Sequence, residues 1–169
     1  LIDNEGSGDC FFAVIRDAYE SIGKTTNIEK LRTILVNEVN EDILNEYKQI
    51  YLNMENAYKE KDMEMKHMKK AIMVLKKRKE NIITKEDNEN LVNEVNEVLK
   101  NYKLASVDKS QIKDILNEFD FMKNVDNLDE FKEFIKTSNF WADTWAITTI
   151  EKKLNVKITF NNFHENLSN

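Results

Sequence analysis

The chain has one cysteine and two histidines, and these three side chains bound the thiol chemistry open to it. Cys10 stands in NEGSGDCFFAVI (residues 4–15), behind a glycine-bearing turn and ahead of an apolar run with helical spacing. At the first turn of a helix, backbone amides without a partner in the helix and the positive end of the dipole both favour an anion. A thiolate is an anion, and it is the nucleophilic form of cysteine. The same amides, in a concavity shaped by glycine, could hold the oxyanion of a tetrahedral intermediate. The residues alone leave two readings open: a nucleophile with its oxyanion cradle, or a half-buried thiol that follows a turn. A nucleophile also needs a base, most often histidine. His67, in MKHMKK, reads as a surface residue of a charged helix. His164, in FNNFHENLSN, follows a strand-like stretch, and Asn161, Asn162 or Asn166 could orient its imidazole, so it is the candidate base.

Other chemistries fit poorly. Asp3, Glu5, Ser7, Gly8 and Asp9 imitate the first positions of a calcium loop. The bidentate carboxylate would fall at Val14 and the ninth position at Phe11, so no calcium site is expected. The net charge of −6 argues against sequence-independent binding of nucleic acid, which needs clustered Lys and Arg. It suits a basic protein partner. A single cysteine excludes an internal disulfide. No apolar run approaches the roughly 20 residues that cross a bilayer, and no signal peptide is visible. The expected setting is cytoplasmic or nuclear, with no membrane and no nucleic acid as partner.

The elements around Cys10 are predicted from periodicity. Phe11, Phe12, Ile15, Ala18, Tyr19 and Ile22 predict a helix over 11–22, closed by Gly23. TNIE (26–29) reads as a capping box for a second helix carrying Ile28, Leu31, Ile34 or Leu35, and Val39. From 42 to 79, Leu44, Tyr47, Tyr51, Met54, Tyr58, Met65, Met68, Ile72 and Leu75 follow a repeat near 3.5 residues. Such a helix is about 55 Å long at 1.5 Å per residue. Thr84 and Asp87 predict a new N-cap, and residues 85–104 a return helix. Residues 41–104 are therefore read as a helical-hairpin insertion, a solvated arm for a protein partner. Shorter helices are expected around 112–119 and 128–135, the second capped near Asp126 or Asn127. SNFWADTWAITTIEKKL (138–154) is expected to turn Trp141, Trp145 and Ile150 inward. NVKITF (155–160) alternates apolar residues and is the one convincing strand. Proline is absent, so long helices run without their strongest breaker.

GSGDCFFAVIRDAY (6–19) resembles the nucleophile motif of the OTU-like (ovarian tumour) cysteine peptidases, D-G-x-C-[LF]-[FY]-x-[AS]-[VIL]. FWADTWAITTIEKKLNVKITF (140–160) is similar to that family's second signature, a Trp-Gly/Ala-Asp segment that opens a helix before a core strand. The order of the motifs and the long helical stretch between them resemble OTU-like proteins of giant DNA viruses, which adds an infected host cell or virion to the expected settings. The resemblance covers residues 2–40 and 138–160. It implies an α/β (α+β) papain-like fold, here a single domain over 1–169 carrying the 41–104 hairpin, mostly helical and with its sheet incomplete. It implies a deubiquitinating thiol peptidase acting on ubiquitin or a ubiquitin-like protein, without metal or cofactor. By position, Cys10 matches the nucleophile, and Gly8 and Asp9 the oxyanion region. Trp141 and Asp143 match the second motif, read as indole burial and helix capping, with Trp145 beside them. Two departures stand out. Ser7 replaces the usual aspartate three residues before the cysteine. Nothing matches the family's Asn-His-aromatic motif, so the catalytic histidine is either His164 or beyond Asn169. An alternative follows: a catalytically inactive OTU-like protein whose arm binds ubiquitin or another protein.

Overall fold

The computed structural model describes residues 8–81 and 83–159. Its elements, in chain order, are α1 (Cys10–Ser21), α2 (Ile28–Glu38), α3 (Glu41–Lys79), α4 (Lys85–Glu118), a 3-10 turn (Asp120–Asn124), α5 (Leu128–Lys136) and α6 (Thr144–Leu154). The chain divides into two compact units, Leu1–Leu44 with Val125–Asn169, and Asn45–Asn124.

The first unit is organised by α2, which packs against α1, α5 and α6. Local signals place each helix. Asn27 accepts from the Lys30 N–H and caps α2, one residue later than the capping box predicts. Asn27 sits extended there, which lets its short amide reach the third N–H of the first turn. Gly23, at φ +72°, ends α1, and its N–H donates to the Glu20 carbonyl. Asn127 caps α5 as expected, and the Glu130 carboxylate reaches back to the Asp126 N–H. The helices bury Phe12, Leu31, Leu35, Phe131, Ile135, Phe140, Ala146 and Ile150. Each large apolar side chain in that group contributes about 1.5–3 kcal/mol by leaving water.

No strand occurs among the described residues, and the α/β papain-like expectation is corrected to a mostly helical fold. The reason is local. Asn155 adopts a left-handed φ of 52° and stops α6. The Val156 N–H then donates to the Glu151 carbonyl (3.1 Å) and the Ile158 N–H to the Glu151 carboxylate (2.7 Å). Donors that a sheet ladder would use are taken by the end of the helix, so alternation at Val156 and Ile158 does not make a strand. The Ile158 N–H, and after it Lys157, hold the Glu151 carboxyl below its usual range. Phe160 lies outside the described residues.

The second unit is a hairpin of two long helices. Thr84 caps α4, accepting from the Asp87 N–H. α4 does not break near 104 but runs to Glu118, because residues 105–111 contain no breaker and Ala105 continues the apolar repeat. On α3 the inward positions are 47, 51, 54, 58, 61, 65, 68, 72 and 75, and on α4 and its C-cap 91, 95, 98, 102, 105, 109, 112, 116 and 119. Both sets step by four and three, the spacing of a coiled-coil seam. The seam starts in an aromatic cluster, with Tyr47 5.9 Å from Phe119 and 6.3 Å from Phe121. It closes on Leu75 and Leu91, both buried. Midway, two of its positions are Lys61 and Lys109. Lys61 pairs with Asp108 (3.3 Å) and Glu64 (2.9 Å). Lys109 pairs with Asp62 and lies 4.7 Å over the Tyr58 ring. These charges mark one antiparallel register, since any slip separates them.

Candidate thiol site

Cys10 is the first residue of α1 and is half-buried. The geometry ahead of it explains why. Asp9 has αR torsions, so its side chain does not cap the helix. It turns instead to Arg32 on α2, accepting from Nη2 at 2.6 Å and Nε at 3.2 Å. Arg32 is only 3% exposed. Its remaining hydrogen bonds go to main-chain carbonyls: Ile135 (2.7 Å), Gly8 (3.2 Å) and Phe140 (3.2 Å). The guanidinium lies 4.3 Å from the centroid of the buried Phe12 ring. A buried charge is tolerated only when paired and hydrogen-bonded, and the planar five-donor fork of arginine meets that condition where lysine would not.

The clamp brings together two segments far apart in sequence. Gly8 donates its N–H to the Ser138 carbonyl at 2.8 Å. A Cβ at position 8 would stand 2.5 Å from the Phe140 oxygen and 2.6 Å from the Ser138 oxygen, so only glycine lets these two segments approach so closely. The Gly8 N–H is thus engaged in holding the turn. The first bond within α1 runs from the Ala13 N–H to the Asp9 carbonyl.

The second segment is placed in part as its sequence predicts. Asp143 caps α6, accepting from the Ala146 N–H at 3.0 Å. Trp145 is half-buried on α6. Trp141 corrects the expectation of a buried indole, because its side chain is 59% exposed. The inward positions are filled by Phe140 before the cap and by Ala146 and Ile150 after it. Trp141 precedes the helix, outside the period that would have turned it inward. Ser7 and His164 lie outside the described residues. His67, the other imidazole, is exposed on α3 in the hairpin unit. Among the described residues no group of three or more His, Cys, Asp or Glu side chains is arranged to hold a metal ion.

Arg32 is the residue that motif reading missed. It did carry a signal: a charge four residues after Ile28 and three before Leu35 falls on the apolar stripe of its own helix. Comparison with protein-family models, with curated proteins and with solved structures finds no match for this chain.

Proposed function

We propose that this chain is a thiol peptidase that hydrolyses the isopeptide or peptide bond to ubiquitin or a ubiquitin-like protein, with Cys10 as nucleophile. One observation supports the reading: the two segments that resemble OTU-like motifs, 8–10 and 138–143, lie against each other through Gly8, Ser138 and Arg32. The Cys10 thiolate attacks the scissile carbonyl carbon, and amides at the start of α1 stabilise the oxyanion. The C–N bond breaks, and the amine leaves with the proton taken from the thiol. Water then hydrolyses the thioester and restores the thiol. His164 is the candidate carrier of that proton.

Ubiquitin bearing a C-terminal electrophile tests the proposal. Covalent labelling is expected on the chain and not on Cys10→Ala. A folded chain that stays unlabelled overturns it. Labelling that survives in His164→Ala removes His164 from the proton path and leaves Cys10 in place.

A second reading is favoured by the position of His67, the one histidine among the described residues, on the exposed side of the hairpin. Here the chain is a non-catalytic binding protein whose hairpin recognises ubiquitin or another protein. Unmodified ubiquitin would then bind reversibly and equally well to Cys10→Ala, without probe labelling of the parent chain.

A further inference from the structure

The hairpin unit carries a charge pattern that the whole-chain total hides. Residues 65–79, MKHMKKAIMVLKKRK, hold seven Lys and Arg and no Asp or Glu, in a chain of net charge −6. Part of this charge has a partner inside the unit. Arg78 meets Glu94 at 3.3 Å, Lys66 meets Asp62 at 2.7 Å, and Lys69 lies 5.7 Å over the Tyr102 ring. Lys70, Lys76, Lys77 and Lys79 have no ion pair among the described residues.

The basic residues share a face with apolar ones. Positions 63, 66, 70, 73, 74 and 77 succeed one another at helical spacing and fall on the side of α3 opposite the seam. All six are exposed. Met63 is 54% exposed, Met73 62% and Val74 61%. Three large apolar side chains stand between its lysines, two of them adjacent. Nucleic acid would reward the charge but not the aliphatic groups, and the face has no aromatic ring on which a base could stack. A bilayer surface with anionic headgroups rewards both: the lysines meet the phosphate and carboxylate layer, and Met and Val enter the acyl boundary.

We propose that the outward face of α3 from Met63 to Lys77 docks on an anionic lipid surface and lies flat on it; among the described residues no helix is long and apolar enough to cross a membrane. The average charge set aside such partners, whereas the local charge selects them. The binding is electrostatic first, so it weakens with salt over the Debye length.

Vesicle co-sedimentation of the whole chain tests this. The chain is expected to pellet with phosphatidylcholine vesicles that contain phosphatidylserine, not with phosphatidylcholine alone, and to be released by salt. Lys70→Glu with Lys77→Glu should weaken binding by about 30-fold or more, at roughly fivefold or more per lysine. Met73→Ser with Val74→Ser should weaken it several-fold with the charges intact. Circular dichroism checks the helices of each variant, and the serine pair decides alone if the charge reversal unfolds the hairpin. The proposal is overturned by folded chain that ignores phosphatidylserine, or by variants that bind as the parent does. Binding to single-stranded RNA that ignores the serine pair, without vesicle binding, assigns the face to nucleic acid instead.

Discussion

The two units solve the problem of a charged side chain on an apolar stripe in opposite ways. In the first unit, Arg32 is 3% exposed and every contact is internal: a carboxylate, three carbonyls and an aromatic face. In the hairpin, Lys61 and Lys109 occupy seam positions yet keep 29% and 21% of their side chains in contact with solvent. Full burial makes a charge unforgiving, because removing a partner leaves polar groups with no water to turn to. Partial exposure makes it replaceable, because water takes over what a mutation removes. One unit is therefore brittle around its charge and the other tolerant.

The sharpest way to break this contrast is Arg32→Ala. It leaves the Gly8, Ile135 and Phe140 carbonyls without the buried donor they share, and only the Asp9 carboxylate, 33% exposed, can turn to water instead. A destabilisation of about 3–5 kcal/mol is expected, read as a lowered urea midpoint with an unchanged slope. Arg32→Lys should recover only part, since an ammonium cannot reach all four acceptors. Wild-type stability in Arg32→Ala would mean the clamp is ornamental.

Gly8→Ala comes next. Its methyl meets two carbonyl oxygens at 2.5 and 2.6 Å, so the turn must open. A loss of about 1–3 kcal/mol is expected, together with a changed rate of Cys10 alkylation by iodoacetamide, because the loop that sets the thiol's exposure has moved. An unchanged rate separates the turn from the thiol.

The smallest effect belongs to the hairpin. Asp62 is held at about 2 by hydrogen bonds from Lys109 first and then Lys66, below the 3.8 of a free aspartate. Its folded value is the lower one, so its contribution is complete above about pH 4 and fades as pH falls toward 2. Acid titration followed by helicity should show a shallow loss in that window, reduced by salt and absent in Asp62→Asn. A steep collapse there would show that the seam charges matter as much as Arg32 does.

Much of the helical layout was legible because it rests on short-range signals. Asn127, Thr84 and Asp143 cap the helices that their positions announce, and the 4-3 repeat places α3 within one residue of its observed start. What failed depended on partners far along the chain. Alternation at Val156 and Ile158 resembles a strand, but strands exist only when paired, and Glu151 captured the donors first. Trp141 is expected inward from its place in SNFWADTWAITTIEKKL, but α6 begins only at Thr144, so the helical period does not reach it. Arg32, Lys61 and Lys109 share one overlooked mark, a charge at a position whose neighbours three and four residues away are apolar. Of the candidate site, Cys10 at a helix start and the glycine turn were readable. The clamp was not, because its acceptors are carbonyls, which sequence does not display.

The aromatic cluster where α3 and α4 meet has a consequence for how the chain assembles. Tyr47 and Phe119 stand 5.9 Å apart although a long excursion of chain separates them. A hairpin zips from its own turn through contacts between neighbours in the growing structure, which makes it quick to form. Once zipped, it holds Tyr47 and Phe119 together, so the chain from 44 to 125 closes with the entropy of a short loop. The entropy of closing that loop is then met within the hairpin, before Arg32 has to find acceptors from both halves. The insertion would act as a folding clip, and shortening it by whole heptads should leave the first unit's refolding rate nearly intact, whereas unzipping it should slow that rate.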